Sequence, residues 1–200
     1  MEMKSLQGKL TKNLISVLLL SGLILPIPLY AQSAGADTAH VNTAQWRQWK
    51  TVGEAKLTWF IFDIYESRLR APDGRYQVSS DVSPHPIALE IYYQRDVTKQ
   101  QLLEVTDEQW QKLGVNKQRR QQWLSELNKM YPNIKKGDEL AYVTDGKAGQ
   151  LLYRQSGDSA SKTVGYVEDE GLNDAFLSIW LSPKTEFPKL RKQLIGQVRK

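Results

Sequence analysis

Few side chains in this sequence have the types and spacing that acid–base or nucleophilic catalysis requires. The two histidines are His40 and His85, and His85 stands between Pro84 and Pro86 with no nucleophile motif beside it. We therefore interpret His85 as an exposed turn residue and not as a catalytic base. The chain contains no cysteine, which excludes thiol catalysis and thiolate metal sites.

A run of three acidic residues, at positions 168–170, is the densest group of carboxylates in the chain. Three adjacent carboxylates could bind a metal ion, but no histidine stands beside them. The run directly precedes an apolar helical segment, and the positive end of a helix dipole stabilises carboxylates at such a start. We therefore predict a helix start here, and we predict neither a metal nor another cofactor.

Two arginines are the candidate anchors for an anionic ligand. Arg47 lies between Trp46 and Trp49, so its guanidinium could meet a carboxylate or could stack on an indole ring. Arg95 precedes Asp96 at the end of a predicted strand, where it could anchor a ligand or form a structural ion pair. The sequence leaves both alternatives open for each arginine.

The first 31 residues have the layout of a secretory signal peptide. Three lysines precede an apolar run over residues 14–25, and Pro26 and Pro28 end that run. The run is shorter than the roughly 20 residues that a membrane span needs, which makes a membrane anchor the weaker alternative. We predict cleavage near Ala31 and a periplasmic location. Residues 32–45 are small and polar and predict a flexible arm, and residues 46–200 predict one domain.

Removal of residues 1–31 changes the charge of the chain. The basic residues fall from 27 to 24 and the acidic residues from 22 to 21, so the formal net charge falls from +5 to +3. The remaining Lys and Arg residues are scattered, which argues against a nucleic-acid partner. The basic C-terminal segment, residues 189–200, is amphipathic enough for a weak contact with a membrane surface. A solvated last helix is the simpler interpretation.

Strand-like segments dominate the start of the predicted domain. The run AKLTWFIFDIYESRL, residues 55–69, is apolar on both faces at its centre and predicts one long central strand. A turn at residues 72–74 follows it, and then a weaker strand is predicted over residues 75–82 and a further strand over residues 87–95. On that last strand, Ile87, Leu89, Ile91 and Tyr93 share one face.

Helices and then a hairpin follow these strands. Thr98 can cap a first helix, Asp107 can start a second that ends at Gly114, and residues 118–130 form a third. Residues 139–144 and 150–155 predict a hairpin around Asp145 and Gly146, and residues 163–167 predict one more strand. This order of strands, helices, strands and helices indicates an α+β fold with an antiparallel sheet.

The late helix is the most apolar element of the chain. Leu172, Phe176, Ile179 and Trp180 fall at i, i+4, i+7 and i+8 and therefore share one helical face. Pro183 ends this helix because it lacks an N–H group. We predict that the helix packs its apolar face on the sheet.

Five segments of the chain together carry a family resemblance: Gly53 with FIFDIY at 60–65, YYQRD at 92–96, KGD at 136–138, AFLSIWL at 175–181 and LRKQLIG at 190–196. In these segments the chain resembles the bacterial chalcone isomerase-like proteins, relatives of plant chalcone isomerases and plastid fatty-acid-binding proteins. The resemblance implies an open-faced sandwich, in which a large antiparallel sheet is covered by a layer of helices. It also implies a ligand cleft between the sheet and the helices.

In the isomerases of this family, an arginine, a strand threonine, a helical tyrosine and a late-helix hydroxyl contact the ligand. The resemblance places these positions at Arg47 (Gln48 in an alternative alignment), Phe60 (or Ile61), Trp110 and Ile179, with Ser178 adjacent. Most of the polar groups are thus replaced by apolar ones, which suits an acyl chain better than a developing enolate.

These observations lead to three hypotheses about function. The first is a periplasmic binding protein, without catalysis, for an apolar and fatty-acid-like ligand. The second is an isomerase or lyase acting on a small phenolic or ketone substrate, and the third is an envelope protein without a ligand. For the first hypothesis the ligand-binding residues that we predict are Arg47, Phe60, Phe62, Arg95, Trp110, Phe176, Ile179 and Trp180. The sequence does not indicate an oligomeric state.

Overall fold

The computed structural model describes residues 43–59 and 62–198, and these residues form a six-stranded sheet with helices. The strands pair antiparallel in chain order throughout, from β1 at one edge to β6 at the other. They are β1 (Lys50–Trp59), β2 (Phe62–Ala71), β3 (Ile87–Tyr93), β4 (Glu139–Thr144), β5 (Gly149–Arg154) and β6 (Lys162–Val167). The helices are α1 (Thr43–Trp46), α2 (Lys99–Lys112), α3 (Lys117–Met130), α4 (Glu170–Leu181) and α5 (Pro188–Leu194).

The two faces of the sheet are covered differently. On one face, alternate residues of β2 to β5 pack with the buried sides of α2 to α5 and form the main core. On the other face, the buried Trp46 packs on Ala88, Ala141, Val143 and Leu152. The predicted α+β class and the open-faced sandwich are therefore confirmed, with four helices on one side of an antiparallel sheet.

The long central strand that the sequence predicted is a hairpin. The strands β1 and β2 pair along their length, and Trp59 lies opposite Phe62, so the chain reverses between these residues. The prediction was wrong because no glycine or proline marks the reversal and the β-propensity of the run continues through it. As a result β1 is an edge strand, and of the two strands of this hairpin β2 is the one flanked by strands on both sides.

Two further elements differ from the prediction. Residues 75–82 form no strand, because local contacts such as the hydrogen bond from the Tyr76 hydroxyl to the Val82 carbonyl hold them as a loop. Asp107 does not start a helix, since α2 runs continuously from Lys99 to Lys112. The predicted cap at Thr98 is confirmed, and it forms a capping box with Gln101.

The late helix begins and ends where its sequence predicted. The Asp169 side chain accepts a hydrogen bond from the Leu172 N–H at 2.8 Å and caps α4. The helix ends at Leu181, two residues before Pro183.

The last helix, α5, packs closely on β1. A Cβ atom added to Gly53 of β1 would lie only 2.0 Å from the carbonyl oxygen of Gln193, at the C-terminal end of α5. Glycine at position 53 thus permits the close contact of α5 with the sheet.

The predicted signal peptide and most of the predicted arm lie outside the described residues. The last three positions of the arm, 43–45, belong to α1. Among the described residues, every helix is too short or too polar to cross a lipid bilayer.

Candidate functional site

A pocket of about 370 Å³ lies between the sheet and the helices α2 and α4. This volume falls in the lower part of the range of about 300–1,000 Å³ that small-molecule sites occupy. Apolar side chains from the sheet, the helices and the segment before α5 form most of its wall. They are Leu57, Ile64, Ile91, Val97, Leu102, Val105, Leu140, Phe176, Ile179, Trp180 and Phe187.

The sheet side of the pocket carries two tyrosines that are cross-strand neighbours. Tyr65 of β2 pairs directly with Tyr93 of β3, and their rings meet edge to face with centroids 6.1 Å apart. Tyr65 is 9% exposed and Tyr93 is 5% exposed. Burial raises the pKa of the Tyr93 hydroxyl well above its usual value, and it also raises the pKa of the Tyr65 hydroxyl. Both hydroxyls are therefore protonated at neutral pH.

A third tyrosine of the wall, Tyr131, comes directly after α3. Its hydroxyl lies 3.2 Å from the Thr106 Oγ1 atom, and that Oγ1 atom donates to the Leu102 carbonyl at 2.7 Å. Because the threonine proton is used in that bond, the Tyr131 hydroxyl donates to Thr106. The proton of Tyr131 is thus engaged within the wall of the pocket.

Charged residues of the pocket lie at its mouth. Lys112, at the end of α2, donates to the Glu186 carboxylate at 2.7 Å, and the Gln109 amide donates to the same carboxylate at 2.9 Å. Lys112 is 50% exposed and Glu186 is 39% exposed at the side chain. Hydrogen bonding by Lys112, and then by Gln109, lowers the pKa of Glu186. The mouth therefore offers a hydrated ammonium group beside a carboxylate.

Three of the eight predicted ligand-binding residues line this pocket. Phe176, Ile179 and Trp180 come from α4, and the rings of Phe176 and Trp180 lie with centroids 5.4 Å apart. The Trp180 indole N–H donates to the Tyr65 hydroxyl at 2.9 Å, which joins α4 to the sheet. The helical spacing of these side chains in the sequence is what brings them to one wall.

Trp110 does not line the pocket. It is completely buried between helices, where its indole N–H donates to the Ala175 carbonyl at 2.7 Å and its ring packs edge to face on Trp123. Phe60 lies outside the described residues, and of Phe62 only the backbone is described, as the first residue of β2.

Arg47 lies on the opposite face of the sheet from the pocket. Its guanidinium stacks on Trp46 at 4.3 Å from the ring centroid and donates to Glu139 at 2.8 Å and to Ser161 at 2.6 Å. Glu139 precedes Leu140, whose side chain faces the helices and the pocket, so successive side chains place Glu139 on the other face. Arg47 is therefore stacked and ion-paired, and it cannot reach a ligand in this pocket.

The ion pairs of Arg47 belong to a larger arginine–glutamate cluster on that face. Glu90 and Glu139 are each 1% exposed at the side chain, and arginines from neighbouring strands and from the segment after α1 surround them. The cluster consists of Glu90, Glu139, Arg47, Arg68, Arg70 and Arg154. Its ion pairs join β2, β3, β4 and β5 to each other and to the segment after α1, on the face away from the pocket.

Arg95 is exposed in the loop after β3, and it does not line the pocket. Its neighbour Asp96 pairs with Lys135 at 2.8 Å and accepts the Lys136 N–H at 2.9 Å. Asp96 therefore holds the loop before β4.

The sequence analysis missed the polar residues of this pocket, among them Tyr65, Tyr93, Tyr131, Lys112 and Glu186. One signal for Tyr93 was present, because period-two alternation places it on the same face as Ile91. No signal could have paired Lys112 with Glu186, which lie 74 positions apart. Within the described part of the chain, no group of three His, Cys, Asp or Glu residues could hold a metal ion.

The fold and this site define a class, that of an open-faced α+β sandwich with an apolar pocket beneath its helices. The sequence profile of the chalcone isomerase-like family matches residues 34–196, and the chain belongs to that family. The family resemblance read from the five segments is thereby confirmed.

Two individual proteins illustrate the relationship. An uncharacterised protein of Haemophilus influenzae is 25% identical over 158 residues, which cover 79% of this chain and 73% of that protein. The crystal structure of a fatty-acid binding protein of Arabidopsis thaliana matches with a TM-score of 0.50 at 12% identity. That match covers 74% of this chain and 87% of the plant protein, and it shows a shared fold.

Proposed function

We propose that this protein binds a small apolar ligand of the fatty-acid type in the pocket beneath α2 and α4, without transforming it. The observation that carries the proposal is the pocket itself, about 370 Å³ in volume and walled mainly by aliphatic and aromatic side chains. Each methylene group buried in such a wall contributes about 0.8 kcal/mol to binding. The name of the Arabidopsis protein with the same fold, a fatty-acid binding protein, supports this ligand class.

The charges at the mouth indicate how a fatty acid would lie. A carboxylate at the inner end would lose its hydration at a cost of several kcal/mol, and the described lining residues place no cation there. At the mouth, the carboxylate stays hydrated and meets Lys112, which is itself half exposed. The acyl chain then extends inward between α4 and the sheet.

We also propose that the protein does not catalyse a reaction on its ligand. The described lining residues include no histidine, and the two carboxylates among them, Glu108 and Glu186, are exposed or partly exposed near the mouth. A general base within reach of a buried substrate is therefore lacking in the described wall.

We expect opposite effects from changes at Lys112 and at Glu186, two charged residues at the mouth. Lys112→Met should weaken decanoate binding about two- to fivefold, the range of an exposed ion pair, and Glu186→Gln should strengthen it. Calorimetric titration at low salt measures both effects, with the methyl ester as a ligand that neither change should affect. Lys129→Met, on α3, is the matched control.

Two different results of the titration would contradict parts of this proposal. If decanoate shows no saturable binding to the wild-type protein, the pocket does not take fatty acids. If the acid binds but Lys112→Met and Lys129→Met behave alike, the carboxylate does not lie at this mouth.

We further propose that the protein acts in the periplasm. The support is the basic start, the apolar run over residues 14–25 and the prolines that end it. The expected result is a mature N-terminus near Gln32 in the periplasmic fraction, determined by N-terminal sequencing after osmotic shock. Recovery of the chain with Met1 intact in the membrane pellet would show that the segment is an anchor.

A further inference from the structure

Two hydroxyl protons on the inner wall of the pocket have no acceptor among the residues that the structure describes. Trp180 donates to the Tyr65 oxygen, which occupies a lone pair of that oxygen and leaves its proton directed elsewhere. Within the described residues the Tyr93 hydroxyl forms no hydrogen bond, and it is not among the fully occluded unpartnered atoms. Tyr93 lines the pocket, so its hydroxyl has access to the space that a ligand would fill.

A ligand that fills this space must satisfy these donors or leave them unpaired. A purely aliphatic end would strip both hydroxyls of solvent, and each buried unpaired donor carries a desolvation penalty. A carboxylate end would face the same wall without a cation, because Lys112 lies at the mouth. An uncharged oxygen with two lone pairs avoids both penalties.

We infer that the pocket selects acyl chains whose buried end carries a carbonyl-type oxygen, which accepts hydrogen bonds from Tyr93 and Tyr65. This inference rests on the proposed function and names the ligand class of the same site. Both donors stay protonated because burial raises the pKa of each phenol. The direct cross-strand pairing of Tyr65 with Tyr93 presents them side by side on one wall.

Tyr131 provides an internal comparison. It lines the same pocket and is equally buried, but its hydroxyl proton is engaged with Thr106. Removing that hydroxyl should therefore leave the preference for an oxygenated ligand unchanged. The difference between the Tyr93 and Tyr131 variants separates hydrogen bonding to a ligand from a general effect of pocket packing.

The test compares 9-oxodecanoate with decanoate on the full mature protein. The two ligands share a carboxylate for the mouth and differ by one oxygen near the buried end. The preference is the ratio of the two dissociation constants from calorimetric titration. We expect Tyr93→Phe to reduce the preference for the oxo acid about fivefold, the effect of losing one neutral hydrogen bond.

Two further variants are titrated with the same pair of ligands. Tyr65→Phe should reduce the same ratio, and Tyr131→Phe should leave it at the wild-type value. If both acids bind and the ratio is the same in the wild-type protein and in the Tyr93 and Tyr65 variants, the inference is wrong while the binding function stands. If neither acid binds to the wild-type protein, the proposed function fails, and the inference fails with it.

Discussion

Replacing Trp180 by alanine is expected to lower the free energy of unfolding by about 3–5 kcal/mol, the usual cost of deleting a large buried aromatic side chain. The indole is 9% exposed and packs against Phe176. Its N–H group donates to Tyr65, so the change also removes a buried hydrogen bond between α4 and the sheet. Urea unfolding measured by far-UV circular dichroism gives the value.

Two further variants make this expectation specific. Trp180→Phe keeps an aromatic ring on α4 but loses the hydrogen bond, and it should cost less than half as much as the alanine change. Val105→Ala alters an exposed side chain at the same pocket, 54% accessible, and should have little effect. A loss below about 1 kcal/mol for Trp180→Ala would contradict the packing of α4 described above.

On the opposite face of the sheet, Glu90→Ala is expected to cost about 3 kcal/mol. The Glu90 carboxylate accepts hydrogen bonds from Arg70 at 2.8 Å and from the Tyr92 hydroxyl at 3.0 Å, and Arg47 and Arg68 lie at 3.5 and 3.6 Å. Removing one partner of a buried ion pair typically costs about 3–5 kcal/mol. We place the value at the lower end because Arg47 and Arg68 are 40% and 33% exposed and can regain hydration.

The control for this prediction is Glu66 of β2, which lies on the same face of the sheet as Glu90 of β3. Glu66 is 56% exposed at its side chain and lies 3.8 Å from Lys56, so Glu66→Ala should change stability by less than about 0.5 kcal/mol. Denaturant midpoints at low and high salt measure both variants. Equal midpoints for the two variants would mean that the arginine–glutamate cluster does not stabilise the sheet.

These two predictions assign different roles to the faces of one sheet. The helix-covered face combines a packed core with an apolar pocket, and the other face combines Trp46 packing with the arginine–glutamate cluster. Arg47 lies on the face opposite the pocket, so it belongs to the arginine–glutamate cluster and not to the ligand site. As a member of the cluster, Arg47 is expected to contribute to stability, and the cation near the proposed ligand is Lys112.

The sequence alone was sufficient for the fold class, the family and much of one pocket wall. The α+β class follows from the order of segments with period-two and period-3.6 patterns, and both periods are local properties of the chain. The same locality explains why Phe176, Ile179 and Trp180 could be placed together, since they lie within two turns of one helix.

Only the tertiary structure decided the rest of the site. The reversal between Trp59 and Phe62 makes a hairpin of a run that reads as one strand. Separately, the pairing of β2 with β3 brings Tyr65 opposite Tyr93. The face on which Arg47 lies depends on how the segment after α1 crosses the sheet. Such long-range pairings arise from the packing of whole elements. The periodicity of the sequence predicts which face of its own strand or helix a side chain occupies, but it does not predict which residue of another element lies opposite.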